Sequence, residues 1–137
     1  MEDSIIFRKL EDYTLKRNKE LARLRGLTED FLNGRTSYDV VKSYIIKVGR
    51  TRSSLKKSIE LCGSSDIRRE FLDYMKTLIT FVIMVSVNDE EDILMDLRTY
   101  LLDKGMRDEV DFIDGELTKI KDLSNVALKI LKTLSNV

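Results

Sequence analysis

The chain has 137 residues, 24 of them basic and 24 acidic, with 42% apolar and 35% charged side chains. That balance supplies no net-charge argument for a nucleic-acid or membrane partner, and the apolar share suffices for one core in a single domain spanning 1–137. Histidine and proline are absent and Cys62 is the sole cysteine. An internal disulfide, thiol–imidazole catalysis and the usual zinc ligand sets are therefore excluded, and no helix must break for want of an N–H.

In chain order, Ile6, Leu10, Tyr13, Leu21 and Leu24 recur at helical spacing and predict a first helix over Ser4 to Arg25. Its middle, KRNKE from Lys16 to Glu20, is wholly polar, so that turn is either exposed or meets a polar partner. Gly26 is expected to stop the helix, because glycine adopts the left-handed conformation without penalty. LTEDFLNG then reads as a short second helix, capped by Thr28 and ended by Asn33-Gly34. A third helix over Ser37 to Cys62 carries Val41, Tyr44, Ile45, Val48, Leu55 and Ile59 on one face, with Gly63 closing it. Gly49 lies inside that helix at a cost of about 1 kcal/mol relative to alanine, which makes a bend there an expectation.

The stretch TLITFVIMVSVNDEED, Thr77 to Asp92, passes abruptly from apolar to acidic. Its apolar run, Leu78 to Val87, is too short for a bilayer span, which needs about 20 residues. It is rich in strand-favouring side chains. However, Ile67, Phe71, Leu72, Tyr74, Met75, Leu78 and Ile79 lead into it at three- and four-residue spacing, after Ser64-Ser65-Asp66 as a cap. It therefore reads as the end of a core helix, apolar all round and enclosed by its neighbours. Asn88, with Glu91 three residues on, reads as the cap of the next helix, Asp89 to Lys104, which ends at Gly105. A last helix covers Met106 to Asn136 with a break expected at Gly115. The fold class is thus all-α: an antiparallel bundle of five long helices and one short one around an apolar central helix.

Charge is uneven along the chain. From Arg35 to Lys57, seven basic residues face one acid, Asp39; from Asp89 to Glu116, eleven acids face Arg98, Lys104 and Arg107. Lys42, Lys47, Arg50, Arg52, Lys56 and Lys57 are candidate phosphate contacts for a nucleic acid. The competing reading is a solvated face, or one that pairs with the acidic half, because stacking aromatics are lacking there apart from Tyr44. Two aspartate rows, Asp89, Asp92 and Asp96 and then Asp108, Asp111 and Asp114, suggest a Mg²⁺ site of the kind used by all-helical nucleotide pyrophosphohydrolases. Those enzymes use glutamate rows within the helix, whereas aspartates near helix starts read as caps. Cys62 reads as a buried inert thiol with no base to activate it. No Gly-rich phosphate loop or cofactor motif occurs.

ELARLRGLTEDFL, Glu20 to Leu32, resembles the leucine-rich turn followed by an acid-Asp-Phe entry in the helical domain of archaeal GINS subunits, the replisome factor that joins the helicase. The resemblance implies a non-catalytic scaffold that assembles with copies or paralogues. The chain departs from it in TLITFVIMVSV, which lacks a basic pattern, and in having no counterpart of the small β-domain. The expectation from residues and resemblance together is a cytoplasmic, non-enzymatic helical interaction module without a cofactor. Its partner is a protein or a second copy. Nucleic-acid binding and a Mg-dependent pyrophosphohydrolase are the alternatives.

Overall fold

The computed structural model describes residues 2–64 and 66–136, and among these there is no strand. Helix α1 is Glu2–Leu32, α2 is Tyr38–Ser64, α3 is Arg69–Phe81, α4 is Val87–Asp103 and α5 is Arg107–Ser135. A π-helical turn, Val82–Ser86, joins α3 to α4 without interruption, so the chain forms four rods. No described helix is long and apolar enough to cross a membrane.

Side-chain pairs give each rod's direction. Asp3 meets Arg68, Arg17 meets Glu90 and Phe31 meets Tyr100, so α1 runs parallel to α3–α4. Lys42 meets Glu109 and Arg52 meets Glu116, so α2 runs parallel to α5. The sequential pairs α1–α2 and α4–α5 are antiparallel. Between α2 and α3 the chain crosses the bundle, leaving α2 and α3–α4 on one diagonal and α1 and α5 on the other. Each rod therefore has one antiparallel and one parallel neighbour, where an antiparallel bundle was expected.

Several boundaries correct the sequence reading. Gly26 and Gly115 stop nothing: α1 and α5 run through them, merging the expected first and second helices into one. Glycine permits a stop but does not impose one. Beyond Gly26 the spacing continues through Thr28, and beyond Gly115 through Glu116 and Ile120, so burial outweighs a cost of about 1 kcal/mol. The actual stops are Gly34 and Gly105, with φ of +75° and +72°. There the Arg35 and Met106 N–H groups donate back to Asp30 and Leu101 carbonyls at 2.7 and 3.0 Å, closing the helix ends. A Cβ at Gly26 or Gly115 would touch nothing within 4 Å. Gly26→Ala and Gly115→Ala are each expected to raise the unfolding free energy by about 1 kcal/mol in urea titration; a lower midpoint would contradict an unbroken helix at that site.

Asn88 is no cap either, because it lies inside the continuous rod and its Nδ2 donates to the Met84 carbonyl at 2.9 Å. Ser64 ends α2 and Ser65 lies outside the described residues. At the start of α3, Asp3 Oδ2 accepts from the Arg68 backbone N–H at 3.0 Å, so a carboxylate from α1 serves this end. The run around Phe81 is not enclosed on every side: Met84 is 65% exposed and Val85 40%. No rod is central. All four contribute to a shared axis through residues such as Leu10, Leu24, Ile45, Leu55, Met75, Leu94, Leu97 and Ile113. Aromatic pairs close both ends, Phe7 with Phe71 at 5.5 Å and Phe31 with Tyr100 at 5.1 Å.

Candidate functional site

Midway along the bundle the apolar axis is interrupted by ions. Arg17, Arg52, Glu90 and Glu116 stand on α1, α2, α4 and α5, each at a place that its helix's apolar stripe would otherwise fill. Arg17 follows Leu10 and Thr14 and precedes Leu21; Arg52 lies between Val48 and Leu55; Glu90 between Val87 and Leu94; Glu116 between Ile113 and Ile120. Helical spacing turns all four inward at one level. Arg17 and Glu90 are fully buried, Arg52 is 3% exposed and Glu116 6%.

Glu90 is the hub. Its Oε1 lies 2.7 Å from Arg17 Nη1 and accepts from Arg52 Nε at 3.2 Å; its Oε2 accepts from Arg52 Nη2 at 2.6 Å. Arg52 thus reaches across the diagonal and grips both carboxylate oxygens, a geometry to which its planar fork is suited. Arg52 Nη2 also donates to Glu116 Oε1 at 3.2 Å, and Lys119 Nζ donates to Glu116 Oε2 at 3.2 Å. The π turn supplies the remaining partners. Arg17 Nε donates to Ser86 Oγ at 3.1 Å and Nη2 to the Ser86 carbonyl at 3.4 Å, while Ser86 Oγ donates to the Val82 carbonyl. Glu20, one turn after Arg17, is 4% exposed and neither of its oxygens has a hydrogen-bond partner among the described residues.

Burial by itself pushes the Glu90 carboxyl up; Arg17 and Arg52 outweigh that and hold it below its ordinary value. Burial pulls Arg17 down in spite of Glu90. In Arg52 the same burial is overcome by hydrogen bonds and attraction from Glu90 and Glu116, and the group is held above its usual value. The two guanidiniums thus hold the Glu90 carboxylate in its charged form.

Beside it, between α2 and α5, opens a cleft of about 410 Å³ with Gly49 in its lining. Ile46, Phe112 and Leu123 supply apolar wall, and Arg50, Ser53, Lys56, Lys119 and Asp122 line it with Arg52 and Glu116. A Cβ at Gly49 would come within 3.0 Å of Glu116 Oε1 and 3.7 Å of Arg52 Nη1. Glycine there leaves room for the ion pair and keeps the cleft floor open.

The six basic candidates do not form one surface. Arg52 belongs to the buried network. Lys42 pairs with Glu109 at 2.8 Å and lies 4.8 Å from the Phe112 ring centre. Lys47 lies over Tyr44, Arg50 and Lys56 flank the cleft, and Lys57 is exposed. The two aspartate rows are likewise not gathered. Asp114 is taken by Arg98 at 2.6 Å and Asp89 lies 3.9 Å from Arg25. Asp92, Asp96, Asp108 and Asp111 are exposed. Among the described residues no group of three or more carboxylate or thiol side chains is placed to hold a metal ion. Cys62 is buried, donates to the Ser58 carbonyl at 3.3 Å, and its thiol is pushed up to about 11 by burial.

Sequence reasoning missed Arg17, Glu90, Glu116 and Ser86 as a unit. The available signal was a charged residue in the apolar register of each of four helices; KRNKE in α1 was the clearest case, and it does meet a polar partner. Comparison with protein-family models, with curated proteins and with solved structures gives no match.

Proposed function

We propose that this chain is a non-catalytic helical interaction module that self-associates or joins a multiprotein complex. The observation that carries this reading is an exposed stripe on α3–α4. Met84, Met95 and Leu102 are 65%, 45% and 52% exposed, at intervals close to whole helical turns. Glu91, Asp92 and Asp96 stand exposed beside them. On the diagonally opposite rod, α2 turns outward Val40 and Leu61, with Lys47, Arg50 and Lys57 between them. An acidic face with apolar anchors and a basic face with apolar anchors, on opposite sides of one bundle, suit a head-to-tail contact between copies. The replisome-linked form of the proposal rests on the Glu20–Leu32 likeness alone, and that segment is one uninterrupted helix.

The test is mass in solution. Sedimentation equilibrium at tens of micromolar is expected to give an oligomer, and Met95→Lys with Leu102→Lys is expected to weaken association at least tenfold. Lys47→Glu with Lys57→Glu should do the same from the other face. A wild-type monomer over that range would remove the self-association form. Nucleic-acid contact through the exposed bases predicts a gel shift at low salt that fades steeply with added salt. No shift at low salt would end that alternative.

A further inference from the structure

The Arg52 guanidinium is almost entirely buried, yet its hydrogen bonds leave one nitrogen unused. Nε and Nη2 serve Glu90 and Glu116, whereas Nη1 makes no hydrogen bond among the described residues. Nη1 is also not among the fully enclosed polar atoms that lack a partner. Its place beside Gly49 puts it at the floor of the α2–α5 cleft. A buried, permanently charged donor that lines a cleft suits an anion, because its desolvation has already been met by folding and its Nη1 N–H groups have no acceptor among the described residues.

The surroundings agree in sign and shape. Four cations (Arg50, Arg52, Lys56 and Lys119) and two carboxylates (Glu116 and Asp122) line the cleft. Glu116 is already engaged by Arg52 and Lys119, and neither Arg50 nor Lys56 has an ion-pair partner among the described residues. Phe112 and Leu123 offer an apolar wall. The volume falls within the range of small-molecule sites and exceeds what a bare inorganic anion needs.

We propose that the α2–α5 cleft binds a small organic anion, with its phosphate or carboxylate head on Arg52 Nη1, Lys56 and Lys119 and its apolar or aromatic body against Phe112 and Leu123. The cleft shares Arg50 with the basic face of α2, but none of the residues assigned to the head or the body of the ligand. Its ligand leaves the Arg52 contacts to Glu90 and Glu116 intact, since they do not use Nη1, and Lys119 Nζ has N–H groups beyond the one it gives Glu116.

Titration of the whole protein with phenyl phosphate, followed by amide NMR and calorimetry, tests this. Saturable shifts confined to residues lining the cleft are expected, with benzyl alcohol giving none and inorganic phosphate binding more weakly. A parallel titration with benzoate distinguishes a carboxylate head from a phosphate one; saturable binding of either supports the site. Lys56→Ala with Lys119→Ala, both outside the buried axis, should weaken binding about tenfold or more. Gly49→Ala, whose methyl group would stand 3.0 Å from Glu116 Oε1 and 3.7 Å from Arg52 Nη1, should weaken it separately. Circular dichroism melts check that these variants fold, and the wild-type titration stands even if one does not. The proposal is overturned if neither anion saturates by about 10 mM, if benzyl alcohol binds as well as phenyl phosphate, or if the double lysine variant binds like the wild type.

Discussion

Glu90→Leu is expected to destabilise the fold by about 3–5 kcal/mol, because it leaves the Arg17 and Arg52 guanidiniums buried together without their shared counter-charge. For a chain of this size that is roughly 10–20 °C in Tm. The cost lies in stranding Arg17 and leaving Arg52 with Glu116 alone, not in losing an especially favourable pair. Taking ions from water costs several kcal/mol each, and their attraction roughly repays it. A second variant separates the two accounts. Arg17→Met with Glu90→Leu and Arg52→Met removes both guanidiniums; Glu116 keeps Lys119 as a partner, and Glu20→Gln is added because Glu20 otherwise loses the attraction of Arg17. That quadruple variant should recover most of the loss and could equal the wild type. Denaturant midpoints measure both. A quadruple variant as unstable as Glu90→Leu would show that the network contributes net stability, contrary to this account.

Acid should reproduce the first result without mutation. The folded Glu90 carboxyl is held below its ordinary value, so its contribution to stability is fully present above the unfolded value of 4.5 and is lost as pH falls through the folded one. Unfolding free energy should therefore stay level down to about pH 4.5 and then drop as pH falls through the folded value, and the quadruple variant should show a shallower slope. Asp114 and Glu109 are also held low, by Arg98 and Lys42 respectively, and add slope of the same sign. Those pairs are solvent-accessible, so about 0.5 M salt should diminish their share and leave the Glu90 share in place. Equal acid slopes for wild type and quadruple variant would place the pH dependence elsewhere.

These expectations bear on why the bundle has this register. The ion layer links α1, α2 and α4 through Glu90, and α2 to α5 through Glu116. Sliding any rod by one turn would detach a buried charge from its partner. An all-apolar layer would tolerate the slip with little penalty, as in coiled coils where a single buried polar residue specifies register. The level of α1 beside α3–α4 follows the same logic, since Arg17 must reach both Ser86 and Glu90. The π turn presents Ser86 to Arg17, and its hydroxyl and carbonyl complete the guanidinium's set of acceptors.

Local patterning was enough to establish an all-helical chain without a membrane-crossing helix, the stripes that form the core, the buried Cys62, and the stops at Gly34 and Gly105. Each of these depends on side-chain spacing or on one residue's backbone freedom, which act over a single helical turn. Tertiary structure alone decided the rest. It carried α1 through Gly26 and α5 through Gly115, because the packing beyond each glycine outweighs its local cost. It fused α3 and α4 across a boundary where acids imitate a cap, and it exposed Met84 in the most apolar run. It also turned four charges from separate helices into one cluster and opened a cleft beside it. Partner choice among buried ions depends on which rods lie diagonal to one another, and spacing along a single helix carries no record of that.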